Sequence, residues 1–218
     1  MASILKVDTI QDQSGNNIIN ENADTITIGA SGDTITIPSG ATISNLGTST
    51  GFGGVNTPAF EAYLGVSGGQ AVLNNTVTIV SLDTEVYDEG SCFNATGSPA
   101  TLNGISVPAR TFLPNVAGKY LMYGAVLVDS GSNSNINRVD VFFHNESGNI
   151  IAQQQQTFES NPVRQASATL LAVVDLNGTS NSVQLRGRVE TVSGSGQLFE
   201  AYPQWRRSTY MGGFKLII

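Results

Sequence analysis

The chain has 218 residues, enough for one or two domains with a sizeable core. Only 12% of them are charged, about half the usual share, and Lys+Arg 10 against Asp+Glu 17 leaves a net charge of −7. So few cations exclude a nucleic-acid partner and an anionic membrane surface, both of which need clustered Lys or Arg.

No stretch approaches the roughly 20 apolar residues of a membrane-spanning helix. Met1 to Ile10 carries neither a basic region nor an apolar run of signal-peptide length. The hydrophobic share of 40% is too high for a disordered chain. One cysteine, Cys92, allows no disulfide within the chain, and one histidine, His144, allows no His cluster for zinc or iron. A Ser-His-Asp triad would have to use His144. Its context, Val139-Asp-Val-Phe-Phe-His144-Asn-Glu-Ser-Gly148, reads as a strand running into a turn, and the chain has no nucleophile elbow. His144 is therefore read as a strand-end surface residue and Cys92 as a small buried side chain. The expectation is a protein with no catalytic residues, no cofactor and no metal.

The first 50 residues differ from the rest. Asp24-Thr-Ile-Thr-Ile28 is followed by Asp33-Thr-Ile-Thr-Ile37 and a decayed copy, Ala41-Thr-Ile-Ser44, an internal repeat with a period of nine and then eight. Alternation places Ile26, Ile28, Ile35, Ile37 and Ile43 on one face and the threonines on the other, with Ser-Gly and Pro-Ser-Gly as turns between short strands. Such strands bury too little in one chain to offset about 1–2 kcal/mol of backbone entropy per residue. Three chains wound about one axis would bring the Ile rows together, so these five residues are the trimer-axis or stalk candidates. A polar arm is the alternative. The repeat lacks the Gly-Gly-x-Gly-x-Asp pattern of calcium-binding nonapeptides. A Gly/Ser/Thr stretch follows, dividing the chain into an arm or stalk (1–50), a linker (51–58) and a head (59–218).

Strands dominate the head. Val77–Val80 is short and β-branched. Gly118–Val128 and Ala168–Leu176 are apolar on both faces and predicted to be buried on both. Arg138–Phe143 alternates. So does Ser182–Glu190, with Val183, Leu185 and Val189 inward and Gln184, Arg186, Arg188 and Glu190 outward. Gly212–Ile218 closes the chain, and Gln153–Gln156 reads as a polar edge or loop. Turn clusters at 129–135, 146–149, 177–181 and 193–196 separate these runs. The prediction is an all-β antiparallel jelly-roll sandwich. A second apolar strand face asks for another copy, and threefold closure would cover it.

Two clusters merit a functional reading. Asp83, Glu85, Asp88 and Glu89 could offer oxygens to a hard cation, but read as a solvated acidic rim; paired carboxylates without a cleft do not make a glycosidase. Phe199–Tyr210 holds the only Trp and two adjacent Arg. Aromatic faces and Arg forks suit sugar rings and carboxylates, which makes Tyr202, Trp205, Arg206, Arg207 and Tyr210 the ligand-binding candidates. Pro203 argues for a loop or edge there. Trp205 packed in the core or a trimer seam is the alternative.

Two resemblances add to this. Ala59-Phe-Glu-Ala62, Tyr87-Asp88, Phe112-Leu-Pro114 with Gly118-Lys-Tyr120-Leu-Met-Tyr123, Ser182-Val-Gln-Leu185 and Tyr210-Met-Gly-Gly-Phe214 resemble, in order, the strands of the C1q/TNF-like jelly-roll family, with one residue's difference on each side of Pro114. That resemblance implies a homotrimer. Ser3-Ile-Leu-Lys-Val-Asp-Thr-Ile-Gln-Asp-Gln-Ser-Gly15, followed by the Asp-Thr-Ile-Thr-Ile repeats, resembles the start of tail-fibre and related virion proteins of marine tailed bacteriophages. It implies a structural virion protein assembled in the host bacterial cytoplasm, attached to other virion proteins through its N-terminal arm. The head would then be a fibre tip, a receptor-binding module for host surface glycan, or a capsid decoration.

Overall fold

The computed structural model describes residues 9–15, 17–22, 25–29, 31–42, 56–130, 135–159, 163–192, 197–201 and 207–217. Contacts divide the chain into two compact units, Met1–Phe52 and Gly53–Ile218. Among the described residues there is no helix, and every paired strand is antiparallel.

The first unit is a three-stranded meander of β1 (Thr9–Gln11), β2 (Asn17–Asn22) and β3 (Thr25–Ile28). The β1–β2 turn follows from local chemistry. The Asp12 carboxylate accepts the Ser14 N–H at 2.8 Å, its carbonyl accepts the Gly15 N–H at 3.1 Å, and Gly15 takes a φ of 85° that a side chain would resist. Register sets Ile10 opposite Ile19 and Ile19 opposite Ile28. Alternation adds Ile26 to that face. These four isoleucines are between 36% and 67% exposed, so the row has no core behind it. The second repeat copy, expected as a strand, forms none. Ile35 and Ile37 lie exposed in an extended segment without a ladder. A five-residue strand ending at Pro38 would gain one row of hydrogen bonds and bury no apolar surface within one chain. Ile43 lies outside the described residues.

The second unit is a sandwich. Its strands are β4 (Ala59–Tyr63), β5 (Gln70–Ala71), β6 (Thr78–Ile79), β7 (Thr84–Glu89), β8 (Phe93–Asn94), β9 (Ala100–Leu102), β10 (Ile105–Val107), β11 (Thr111–Phe112), β12 (Gly118–Asp129), β13 (Ile136–His144), β14 (Ile150–Thr157), β15 (Gln165–Leu176), β16 (Val183–Thr191), β17 (Leu198–Phe199) and β18 (Tyr210–Lys215). One sheet has the order β5-β17-β12-β18-β4-β7, with β15 on the other side of β12; the second runs β14-β13-β16-β11-β8, with β6 also on β16. From β11 to β18 the chain passes repeatedly between the sheets, which makes the unit a jelly roll. β9 and β10 form a separate hairpin.

The core lies between the two sheets. Tyr120, Met122, Val126 and Val128 of β12 meet Val139, Val141 and Phe143 of β13 and Val183, Leu185 and Val189 of β16. Alternation explains this choice, because each set is spaced by two or four along its strand, with Gly124 and Gly187 at the intervening inward positions. The inward residues read for β16, Val183, Leu185 and Val189, are buried; Gln184, expected to be solvent-facing, is buried too, its amide donating to the Ala109 carbonyl and Thr111 Oγ1. At one end Phe60 stacks on Phe93 and Phe112 at 4.8 and 4.3 Å, and Phe112 meets the edge of Tyr120. The Tyr120 hydroxyl donates to the Val116 carbonyl at 2.7 Å, and burial pushes its phenol up to about 12.

Two expectations fail here. β15 is not buried on both faces: Leu171 and Val173 are 66% and 56% exposed, because one sheet of a sandwich has only one sheet across from it. His144 is not a surface residue but 6% exposed. Its ring lies edge-on to Phe142, and its Nδ1 is held 2.8 Å from the Gly148 carbonyl of the following turn.

Candidate functional site

The outward residues of the seven-stranded sheet form rows set by register. Val173, Leu121 and Phe214 lie side by side. Leu171, Tyr123, Gly212, Glu61 and Tyr87 form the next row, and Ala125, Tyr210 and Tyr63 the third. The face is therefore apolar and tyrosine-rich across β15, β12, β18 and β4.

At its centre the Tyr123 ring lies across β18. A Cβ on Gly212 would sit 2.4 Å from that ring, so only glycine fits beneath it. The Tyr123 hydroxyl donates to Glu61 Oε2 at 3.0 Å, and Arg207 Nη1 donates to Glu61 Oε1 at 2.6 Å. The Arg207 guanidinium also covers the Tyr63 ring at 5.8 Å, and Tyr210 packs 6.3 Å from Tyr123. Burial, then hydrogen bonds to Tyr87 and Glu61, pushes the Tyr123 phenol well above its ordinary value. It stays protonated and serves as a donor. The one carboxylate in this cluster is neutralised within it, leaving aromatic and aliphatic surface. Such a surface suits contact with another protein surface rather than acid–base chemistry.

The predicted ligand residues fall as follows. Tyr210 is on β18 in this face, and Arg207 is half-exposed and ion-paired to Glu61. Tyr202, Trp205 and Arg206 lie outside the described residues. The predicted acidic rim is partly structural. Asp83 accepts the Gly65 N–H at 2.6 Å, and Asp88 accepts the N–H groups of Cys92 and Phe93 at 3.0 and 2.9 Å. Burial, then the Asp88 charge, raises the Glu85 carboxyl. Among the described residues no group of three acidic, His or Cys side chains could hold a metal ion. Cys92 is buried, and burial pushes its thiol up, away from the reactive thiolate.

The outward face of the six-stranded sheet is different. Asp140 on β13 is fully buried beneath two guanidinium groups: Arg138 Nε at 2.8 Å and Arg188 Nε at 2.9 Å. Gln153 Nε2 adds a third donor at 3.2 Å, and Arg138 Nη2 donates on to Gln155 Oε1 at 2.5 Å. Arg188 covers the Phe142 ring at 5.8 Å. The outward spacing of Arg186 and Arg188 was visible in the sequence. Asp140 as the buried partner that Arg188 shares with Arg138 was not, because strand pairing alone brings β13 beside β16.

No protein-family model and no curated protein matches the chain. Among solved structures it is similar to murine APRIL, at 15% identity over 72% of this chain and 98% of that one, with a TM-score of 0.46. The globular domain of zebrafish complement 1qA matches at 14% identity over 73% and 96%, with a TM-score of 0.43. The Eiger TNF of S. frugiperda matches at 13% identity over 72% and 91%, with a TM-score of 0.40. The jelly roll itself is defined by the strand order of this chain.

Proposed function

We propose that this chain is a non-enzymatic structural protein of a bacteriophage virion, a homotrimer in which residues 59–218 are a displayed head and residues 1–50 a stalk or attachment arm. The outward face of the seven-stranded sheet carries the reading. Leu121, Leu171, Val173 and Phe214 surround a tyrosine cluster whose only charges cancel each other. A contiguous apolar face on a folded unit is an interface without its partner. The family resemblance of the head implies three copies. The exposed Ile10, Ile19, Ile26 and Ile28 face of the first unit asks for association independently. Placement on a virion, and assembly in a bacterial cytoplasm, is supported by the resemblance of Ser3–Gly15 and the repeats that follow. Fibre tip, receptor-binding head and capsid decoration are forms of the same reading. Glycan recognition through Arg207 would require its pair with Glu61 to open, whereas the trimeric head requires nothing further.

Sedimentation equilibrium of the full chain tests assembly: three times the chain mass is expected, and a stable monomer at micromolar concentration overturns the trimer. Mass spectrometry of purified phage particles tests placement: the chain is expected among the virion proteins, and its absence overturns the virion role while leaving the trimer standing.

A further inference from the structure

Arg186 is held rigid with its charge unspent. Its Nε donates to Gln184 Oε1 at 2.9 Å. Gln184 is itself pinned, its Nε2 donating to the Ala109 carbonyl at 3.0 Å and to Thr111 Oγ1 at 3.2 Å. The cross-strand partners of Arg186 are Phe142 on β13 and Ile79 on β6, neither of them charged. Among the described residues Arg186 makes no ion pair. A guanidinium fixed in this way gains little for the fold. It loses side-chain freedom and acquires no carboxylate.

Its neighbourhood extends the pattern. Arg188 lies two residues along the same strand face, about 7 Å away by strand rise, and only its Nε is used on Asp140. The Nη groups of both side chains therefore remain as paired donors, the geometry that meets a planar two-oxygen anion. Across β13, Gln153 and Gln155 form an exposed amide row on β14. Gln153 keeps its carbonyl oxygen, and Gln155 its amide nitrogen, outside the hydrogen bonds that tie them to Asp140 and Arg138. The two rows are about 9–10 Å apart by strand spacing. Glu190, opposite Arg138, bounds the face at one end with a negative charge.

We propose that this face binds an acidic glycan whose charges are carboxylates, with Arg186 and Arg188 as the ion-pairing groups and Gln153 and Gln155 meeting hydroxyls. One small anion would satisfy the arginines but not reach the amide row; an extended, hydroxyl-rich acid spans both. The proposal does not depend on the oligomeric state or on the virion role, since the site lies on the sheet opposite the apolar face.

The single imidazole of the chain provides a local reporter. His144 lies beside Arg186; burial, with that charge adding to it, lowers the affinity of its ring for a proton, and its Nε2 is buried without a hydrogen-bond partner among the described residues. The full chain is titrated with oligogalacturonate at low salt, with a neutral malto-oligosaccharide of equal length as control, by calorimetry and by NMR of the His144 ring. Saturable binding of the galacturonate alone is expected, together with a shift of the His144 signal. Arg186→Gln is expected to weaken binding by roughly tenfold or more, the loss of a charge-assisted contact. No binding, binding that leaves the His144 signal in place, or equal binding of the neutral sugar overturns the proposal. So does tighter binding of dextran sulfate or duplex DNA at the same salt. Thermal melting verifies that Arg186→Gln is folded; should it fail to fold, the wild-type titration and the His144 signal carry the test.

Discussion

On the seven-stranded sheet the side chains pointing away from the core include Leu121, Tyr123, Leu171, Val173, Tyr210 and Phe214; on the six-stranded sheet they include Arg138, Asp140, Gln153, Gln155, Arg186 and Arg188. Both sheets have the same inner task and share one core. Their outer faces differ in where charge is placed. The first keeps its charges paired, Glu61 with Arg207 as a clasp among rings and Lys119 with Asp175 between β12 and β15. The second buries a carboxylate under two guanidinium groups and leaves a third cation unpaired. The contrast separates a face that gains by losing water from a face built to stay in it. Apolar area returns about 25 cal/mol per Å² when covered, whereas removing exposed arginines from water returns little.

Three experiments break or sharpen that contrast. The largest effect is expected from Leu171→Asp. Each copy loses about 1.5–3 kcal/mol of side-chain burial, which three copies multiply to about 5–9 kcal/mol for the proposed trimer, before the desolvation of the new carboxylates. Light scattering should show monomer, while the melting of the separated chain should hardly move because Leu171 is 66% exposed there. An intact trimer would place the interface elsewhere. Asp140→Ala comes next. Removing one partner of a buried pair costs about 3–5 kcal/mol, and the lower figure is expected because Arg138 and Arg188 keep 27% and 19% of their side-chain exposure. Denaturant unfolding measures it, and a loss under about 1 kcal/mol would mean that the charge network contributes nothing net.

The smallest effect concerns acid. Burial, with repulsion from Arg186 adding to it and the Gly148 hydrogen bond opposing it, holds the His144 imidazole below its ordinary value of 6.5. The unfolded chain then takes up its proton first as pH falls. The contribution of His144 to stability is whole above about pH 6.5 and declines below it. Melting temperatures at pH 7.5 and 5.5 should fall more for the wild type than for His144→Gln; an equal fall would show that the buried ring does not titrate in this window.

Much of the sandwich was legible because strand alternation is a local signal. β12, β13, β15 and β16 were found within a few residues, and the inward set Val183, Leu185 and Val189 was read correctly. Coverage is not local. Leu171 and Val173 look identical in sequence to core residues, and only the position of β15 in its sheet shows that nothing lies over them. His144 was misplaced for the converse reason: a ring at a strand end is covered by the turn that follows and by Phe142 beside it. A stronger signal was simply missed. Leu102-Asn-Gly-Ile105 joins β9 to β10, and Asn103 and Gly104 take φ of 51° and 76°, the paired positive angles of a tight hairpin that Asn-Gly favours. Of the ligand candidates, Arg207 was legible as an unusual cation, but its partner Glu61 is most of the chain away and no spacing rule connects them.

The pairing of β4 with β18 has a consequence in time. The strand that opens the sandwich finds its neighbour in the strand that closes it, with Phe60 opposite Gly213 and Ala62 opposite Met211. Until β18 has left the ribosome, Phe60 and its stacked partners have no complete wall to settle against, and both β4 and β12 present unpaired edges. Contacts so distant along the chain make for slow closure. Nascent sandwiches on neighbouring ribosomes would meet each other's open edges before their own last strand arrives. The time between synthesis of β12 and synthesis of β18 is therefore when this molecule is most exposed to misassembly.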